Sequence, residues 1–347
     1  MNNKRQELIL KYIRKQKLVS RSKLQSYISK IMSNKNSKIT LLRDLNTLIA
    51  EGKIKKNGIA KNTVYTCVVP SILETINVTA YFKKDIDKRI LKSDYFNFDI
   101  WDNLHNLFTN KEKQDLAKFN KQYIKNKKEL TPILLKKELE RLTIEFSWKS
   151  SHIEGNSYSL LDTERLLKEN VQAKGKKAEE AIMILNHKKA LDFVYTDPAY
   201  FKKLSISKIE ELHRLLVSGL NVNFGLRKNR AGITGTNYRP IDNIHQIRQS
   251  VEQLVKVINR TENPLEKALI AILMISYIQP FEDGNKRSAR ILGNALLLAN
   301  NYCPLSYCSV NETNYKKATI LFYEQNNATY FKNLFVEQFK QAIKKYF

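Results

Sequence analysis

The 347-residue sequence predicts a mainly α-helical protein with a small mixed domain of helices and strands at its N-terminus. Apolar residues recur at helical spacing in nine segments between Leu134 and Tyr346. The chain holds only 10 Gly and 7 Pro, too few for a turn-dense β fold. Residues 1–70 show three helical patterns followed by a small hairpin pattern. We therefore predict two domains, 1–70 and 126–347, joined by a connecting segment over 71–125.

The charge of the chain is unevenly distributed. Sixty Lys and Arg stand against 34 Asp and Glu, a net charge of +26, and residues 1–70 hold 16 of these basic residues against three acidic ones. Such a local excess favours a nucleic-acid-binding module, with double-stranded DNA as the partner. The alternative is a genome bias toward Lys, Asn and Ile that requires no polyanion.

Cysteine usage and hydropathy favour a cytoplasmic protein with no membrane partner. Cys67, Cys303 and Cys308 have neither disulfide-framework nor zinc-ligand spacing, which fits a reducing compartment. The first residues lack the apolar stretch of a signal peptide. The longest apolar run, Ala268–Ile278, is shorter than the ~18 residues that a membrane-spanning helix needs.

Within residues 1–70, the stretch Ile39–Leu48 followed by Gly52-Lys53-Ile54 resembles the third helix and wing of winged helix-turn-helix regulators. In that fold the third helix enters the major groove and the wing touches the phosphate backbone. The resemblance implies DNA contacts from Lys35, Lys38, Thr40 and Arg43 on the helix, and from Lys55, Lys56 and Lys61 on the wing. The alternative is a winged helix that binds protein and has a solvated basic face.

The most informative stretch, Gln279–Arg290, reads QPFEDGNKRSAR and follows an apolar helix. Pro280 ends that helix, and the next helix begins with Arg287 and Arg290 one turn apart on the same face. The backbone N–H groups and the positive dipole end of that helix lie at the same place. The pattern predicts an anion site suited to phosphates, where Asp283 would hold a bridging Mg²⁺.

This stretch resembles the signature loop of the Fic/Doc family, H-x-F-x-[D/E]-[G/A]-N-[G/K]-R, at every fixed position except the first, where Gln279 stands. Residues 150–156 resemble the family's inhibitory motif, [S/T]-x-x-x-E-[G/N], with Ser150 and Glu154 at its fixed positions. Residues 225–240 resemble the flap hairpin over the active site. The likeness covers residues 135–340 approximately and implies an all-helical core with a small flap hairpin.

Most active members transfer AMP from ATP to a protein hydroxyl. The resemblance implies the following contacts: Asp283 with Mg²⁺, Arg290 with the γ-phosphate, and Gly284, Asn285, Lys286 and Arg287 with the other phosphates. It also implies that Glu154 pairs with Arg290 and blocks the productive ATP pose. The flap residues Thr234, Gly235, Thr236 and Asn237 would pair with an extended target segment by strand addition.

Two departures leave the reaction open. Gln279 has no group that titrates near pH 7, so it cannot act as the general base that the family's histidine provides, a loss worth ~10²–10⁴ in rate. Some members with lysine at the position of Lys286 bind the nucleotide reversed and transfer phosphate instead of AMP.

The sequence therefore predicts a Fic-type protein adenylyltransferase that is autoinhibited by Glu154 and impaired at Gln279. The alternative is a catalytically silent nucleotide-binding domain coupled to a DNA-binding transcriptional regulator. Whether Gln279 is natural or engineered stays open. The expected partners are ATP, Mg²⁺, double-stranded DNA and a target protein with an accessible hydroxyl, for which the chain itself is one candidate. A homodimer would suit both modules.

Overall fold

The computed structural model describes residues 4–16, 18–32, 38–51, 53–58, 62–67 and 71–347. The chain divides into two compact units. The first comprises Met1–Glu74 with Asn103–Gln114, and the second comprises Thr75–Asp102 with Asp115–Phe347. The predicted connecting segment is thus shared between the two units. The predicted DNA-contacting Lys35 and Lys61 lie outside the described residues.

The first unit combines three helices with a three-stranded antiparallel sheet. The elements are α1 (Lys4–Gln16), β1 (Val19–Ser20), α2 (Arg21–Ile31), α3 (Lys38–Ala50), β2 (Ile54–Asn57) and β3 (Val64–Cys67). Strand β3 lies in the middle of the sheet, with Val19 opposite Tyr65 and Ile54 opposite Cys67. The sequence predicted the helices and the β2–β3 hairpin but not β1. Apolar side chains from all three helices, including Ile13, Leu24 and Leu45, are fully buried in its core.

The remaining helices, most of them in the second unit, are α4 (Val78–Phe82), α5 (Asn110–Glu129), α6 (Pro132–Ile153), α7 (Leu160–Glu169), α8 (Ala178–Thr196), α9 (Ile206–Val217), α10 (Ile244–Arg260), α11 (Pro264–Ile278), α12 (Asn285–Ala299), α13 (Glu312–Gln325) and α14 (Thr329–Tyr346). Helices α11 and α12 pack against each other at the centre, and α6, α8 and α9 pack against α12. Almost every residue of α11 and α12 is buried. The sequence analysis did not predict α5, whose many charges obscure its apolar face.

The predicted flap hairpin is wrong in its backbone pairing. Within the described stretch 225–240 the backbone forms no strand ladder, and one isolated bridge joins Arg239 to Tyr95. The turn at Gly235 has a φ of +88°, a conformation that favours glycine. Side chains instead of a partner strand hold this flap in place, as detailed below. Among the described residues, no helix is both long and apolar enough to cross a membrane.

Candidate functional site

The signature loop, residues 279–290, is shaped by two left-handed residues and one side-chain bracket. Helix α11 ends at Gln279, whose φ is +51°, and Gly284 with a φ of +76° precedes the first turn of α12. A Cβ on Gly284 would lie 3.1 Å from Val217 Cγ1, so the close packing of α9 also requires glycine. The Asn285 amide accepts from Phe281 N and donates to Phe281 O, both at 2.8 Å. The loop thus presents the start of α12, with its free backbone donors, to a cavity.

Three cations of α12 face two carboxylates at this loop. Arg290, which is fully buried, donates from Nη1 to Glu154 Oε1 at 2.9 Å. Lys286 Nζ lies 3.3 Å from the other oxygen of Glu154. Arg287, also buried, donates to Asp283 Oδ2 at 2.7 Å. The structure therefore places the predicted inhibitory glutamate against the predicted γ-phosphate-binding arginine, 136 positions apart in sequence.

The guanidinium of Arg290 has a partner on every nitrogen. Its Nε donates to Ser150 Oγ at 2.9 Å and its Nη2 to Ser150 O at 2.8 Å, in addition to the contact with Glu154. The ring of Tyr315 lies 5.6 Å from its charge centre. Ser150, placed by the last turn of α6, thus acts as a double acceptor that fixes the arginine while Glu154 supplies the counter-charge.

His187 on α8 supports this arrangement from behind. Its Nδ1 lies 2.8 Å from Met183 O, and its Nε2 lies 2.8 Å from Ser150 Oγ. Burial lowers the pKa of His187 to about 3, so the ring is neutral. A neutral ring that donates from Nδ1 accepts the Ser150 hydroxyl proton at Nε2, which leaves a lone pair of Ser150 Oγ for Arg290. The sequence analysis missed this role, because nothing in sequence joins His187 to Ser150.

The electrostatics of the Glu154–Arg290 pair keep both groups charged. Burial raises the pKa of Glu154, but the positive charges of Arg290 and Lys286 more than offset this and hold it below its ordinary value. Burial likewise lowers the pKa of Arg290, and the charge of Glu154 reverses the effect and raises it. A buried ion pair of this kind is retained only when geometry and additional hydrogen bonds are favourable.

Glu154 stands between two cavities of about 280 Å³ each. The first lies over the signature loop and is lined by Gln279 and residues 282–287, together with Met183. The second is lined by residues of α13, among them Tyr315, Ile320 and Tyr323. Four residues line both cavities: Glu154, Lys286, Ile233 and Thr234. Glu154 and Lys286, together with these two flap residues, therefore form a boundary that the two cavities share.

Gln279, which the resemblance aligns with the family's histidine, follows the last residue of α11. Its side-chain amide donates to Ser276 O at 2.6 Å, and its backbone carbonyl accepts from Arg227 Nε at 2.6 Å. Only 8% of the residue is exposed. None of the five histidines, all within the described residues, lines either cavity. The described site thus contains no imidazole that would replace the missing base.

His213 lies directly beneath the loop and has a structural role. Its ring stacks on Phe281 with a centroid distance of 3.8 Å, and its Nε2 donates to Asp283 O at 3.0 Å. Burial lowers the pKa of His213 to about 4, so this ring is also neutral. These contacts give His213 a packing role beneath the loop.

The flap is held at its base by side chains. Arg227 donates to Gln279 O, to Asn229 O and to Ile241 O, which ties both ends of the flap to the signature loop. Tyr238 is buried and donates its hydroxyl to Tyr277 O at 2.9 Å. Of the predicted target-binding residues, Thr234 lines both cavities, whereas Gly235 O, the Thr236 hydroxyl and the Asn237 amide all make contacts within the chain.

The predicted DNA-contacting residues that the structure describes lie in the first unit. Lys38 and Arg43 on α3 and Lys55 and Lys56 on β2 are exposed, and Thr40 is half-buried. Asp44, on the same helix, is buried and paired with Arg5. The exposed side of α3 therefore carries Lys38 and Arg43 together with the apolar Ile39 and Leu42, whereas the acidic residue of this helix faces inward.

Comparisons with known proteins find a match to the Fic/DOC family within one part of this chain. Residues 203–297 match the family model described as "Fic/DOC family". The chain is 28% identical to "Protein adenylyltransferase Fic" of Drosophila melanogaster over 161 residues, which covers 46% of this chain and 33% of the relative. It is 27% identical to "Protein adenylyltransferase fic-1" of Caenorhabditis elegans over 158 residues, covering 44% and 31%. The match thus spans about a third of the length of these relatives.

Solved structures share the fold. A C. elegans Fic-1 fragment superposes with a TM-score of 0.57 at 20% identity, covering 67% of this chain and 69% of the fragment. A Fic-domain signalling protein from Bacteroides thetaiotaomicron superposes with a TM-score of 0.55 at 21% identity, covering 66% and 94%. At these identities the superpositions show the Fic-type helical fold and nothing further.

Proposed function

We propose that the helical unit binds ATP at the signature loop and is built to transfer AMP to a protein hydroxyl, restrained by Glu154 and weakened by Gln279. The observation that carries the proposal is the carboxylate of Glu154, bound between Lys286 and the fully buried Arg290 at the boundary that the two cavities share. A cation site of this kind accepts a phosphate equally well. The relatives named above are protein adenylyltransferases, which supports AMP transfer as the reaction.

Inhibition follows from this geometry, because one site cannot hold two anions. While Glu154 neutralises Arg290, a γ-phosphate gains little by approaching it, and the glutamate also adds negative charge between the two cavities. Movement of Glu154 frees Arg290 for the phosphate and opens this boundary. Asn285 already uses its side-chain amide on Phe281, so we assign it the role of shaping the loop. We assign the phosphate contacts to Lys286, to Arg287 and to the backbone from Gly284 onward.

The donor set also fits a magnesium ion. Asp283 uses Oδ2 for Arg287, while its other oxygen has no partner among the described residues, and about two thirds of the side chain is exposed. One carboxylate together with substrate phosphates is a usual Mg²⁺ environment. Asp283 would hold the ion, which supplies charge neutralisation at the phosphates. Within the described chain no cluster of three or more acidic, histidine or cysteine side chains offers another metal site.

The flap would present the target. No backbone N–H of residues 231–237 donates to any atom of the described chain, so an extended segment can pair with them by strand addition. What the site lacks is a base for the target's hydroxyl, since the Gln279 amide is itself a donor to Ser276 O. We therefore expect nucleotide binding to persist and transfer to be slow.

Nucleotide binding and transfer are tested separately. Calorimetric titration with ATP and Mg²⁺ should show affinity that rises at least roughly tenfold in Glu154→Gly, since one charged hydrogen bond is released for the phosphate. Glu129→Gly, an exposed glutamate at the end of α5, is the matched control and should leave the affinity unchanged. Equal affinity in Glu154→Gly and wild type would exclude Glu154 as the brake.

Labelling with radioactive ATP then identifies the reaction. With label on the α-phosphate, signal should appear in Gln279→His and be strongest in Gln279→His/Glu154→Gly. Protein signal from γ-labelled ATP without signal from α-labelled ATP would indicate phosphate transfer, the alternative that Lys286 leaves open. Silence in every variant, with ATP still bound, would overturn the transferase and leave a nucleotide-binding domain.

That silent domain is the second candidate, in a chain whose first unit binds DNA. The helix order and the β1–β3–β2 sheet of the first unit resemble a winged helix-turn-helix. The exposed Lys38 and Arg43 of α3 are the observation that favours DNA. Duplex binding should weaken steeply with salt. The log–log salt slope should fall by about 0.9 for each phosphate that Lys38→Ala/Arg43→Ala no longer neutralises, and it should not fall in the control Lys11→Ala on α1. A slope unchanged by the α3 variant would exclude this interface.

A further inference from the structure

Residues 78–97, which the sequence analysis treated as part of a connecting segment without chemistry, lie against the flap in the second unit. Arg89 Nη2 donates to Gly235 O at 2.7 Å. The Asn237 side chain donates to Asp87 Oδ1 at 3.1 Å, and Arg239 N donates to Asp94 O at 2.8 Å. Three contacts thus follow the flap from its turn toward its base.

Arg89 is the buried member of this set, and its position is fixed by other groups. Its Nη1 lies 3.5 Å from Glu324 Oε2, with 3% and 0% of the two side chains exposed. The ring of Phe82 lies 5.3 Å from its charge centre, and Tyr81 donates to the same oxygen of Glu324 at 2.7 Å. Arg89 Nε and Glu324 Oε1 are buried without a partner in the described chain.

The incomplete bonding of this pair argues that stability alone does not explain it. A buried ion pair with unsatisfied atoms is commonly no better for stability than apolar residues of similar size, so the hydrogen bond that the pair directs to the flap points to a geometric role. The pair holds Arg89 so that its Nη2 donates a hydrogen bond to Gly235 O.

That donor acts where the flap has no other backbone support. Arg227 and Tyr238 hold the base of the flap, as described above. Over residues 231–237 the backbone makes a single hydrogen bond to the described chain, from Arg89 to Gly235 O. Residues 231–237 include Ile233 and Thr234, which line both cavities. Arg89 therefore sets where the free backbone donors of the flap lie relative to the signature loop.

We propose that Arg89 is a positioning residue for target binding, anchored by Glu324 and acting through Gly235. Residues 78–97 are accordingly part of the target-binding apparatus. The flap's role in target binding rests on the proposed function, whereas the flap's dependence on Arg89 does not. Without Arg89 the tip, residues 231–237, loses its anchor while the base and the cation cluster at Glu154 stay in place.

Limited proteolysis of the full chain tests the anchor directly. The double variant Arg89→Met/Glu324→Gln removes both charges, so that neither is left buried alone, and it leaves Gly235 O without its donor. Thermolysin cleavage before Ile233, followed by mass spectrometry, should accelerate roughly tenfold or more, the weight of one charge-assisted hydrogen bond. The control Glu145→Gln replaces a buried carboxylate that accepts from Lys345 and Tyr346 elsewhere in the unit. In this control, cleavage before Ile233 should proceed at the wild-type rate.

Two results would overturn the anchor: cleavage before Ile233 at the wild-type rate in the double variant, or equal acceleration in Glu145→Gln. The second result would mean that any loss of stability frees the flap. A thermal unfolding measurement on each variant separates these cases, because the anchor predicts local cleavage in excess of the change in melting temperature.

Labelling separates this inference from the proposed function. In a Gln279→His/Glu154→Gly background, adding Arg89→Met/Glu324→Gln should reduce self-labelling about tenfold while the calorimetric ATP affinity stays within about threefold. Parallel losses of ATP affinity and labelling would assign Arg89 to the nucleotide site and overturn a target-specific role. Absence of labelling in the background itself would overturn the proposed transferase, and the cleavage result would still decide whether Arg89 anchors the flap.

Discussion

Two buried arginines of the helical unit each face a glutamate, and the two pairs differ in access and in completeness. Arg290 has a partner on every guanidinium nitrogen, and 18% of the Glu154 side chain is exposed to the cavities. The Arg89–Glu324 pair is closed on both sides, lies at 3.5 Å and leaves one atom of each residue unsatisfied. An accessible counter-charge can be exchanged for a phosphate, whereas an enclosed one can only hold its arginine in place.

The largest expected difference concerns stability. Glu154→Gln and Glu324→Gln each remove the charge that neutralises a buried arginine, and we expect each to lower the free energy of unfolding by about 3 kcal/mol. ATP should restore the loss in Glu154→Gln, because a phosphate takes the place of the carboxylate, but not in Glu324→Gln. Thermal unfolding with and without ATP measures this. Equal rescue of both variants would contradict the contrast between the pairs.

The next effect concerns ligand affinity. In a Glu154→Gly background, Arg290→Met should weaken ATP binding by roughly tenfold or more, since the phosphate loses the charge-assisted hydrogen bond from Nη1. Arg89→Met in the same background should change it less than about threefold. Calorimetric titration compares the two. If ATP affinity fell equally in both, the enclosed pair would belong to the nucleotide site.

The effect that is smallest near neutral pH, because it vanishes above pH 6.5, is a pH dependence from the histidine behind Arg290. The pKa of His187 falls from 6.5 to about 3 on folding, so below pH 6.5 the unfolded chain binds a proton that the folded chain rejects. Its contribution to stability is therefore complete above pH 6.5 and is lost as pH falls toward 3, at up to about 1.4 kcal/mol per pH unit. Urea unfolding between pH 7 and pH 4 should show a flatter profile in His187→Gln than in wild type, and identical slopes would contradict a neutral, buried His187.

The sequence was most informative where local chemistry decides. Pro280 ends α11, and Gly284 permits the left-handed turn before α12, so the signature loop followed from a few residues in a row. The Glu154–Arg290 pair was anticipated through resemblance alone. The hairpin over 225–240, which the resemblance implied, was wrong, because the side chains of Arg227, Tyr238 and Arg89 hold this backbone in place of a strand ladder.

By itself the sequence determined the helical class, the basic N-terminal segment, and the order of Gly284, Lys286, Arg287 and Arg290 in the signature loop. These features depend on short-range periodicity, on charge and on residue identity. Only the tertiary structure decided that His187 contacts Ser150, that Glu154 lines two cavities and that Arg89 donates to the flap at Gly235 O. The physical reason is that Arg89 meets a backbone carbonyl 146 positions away and Glu154 meets Arg290 136 positions away. Those contacts leave no local pattern in the chain, and only the packing of α6, α8 and α13 around α11 and α12 assembles them.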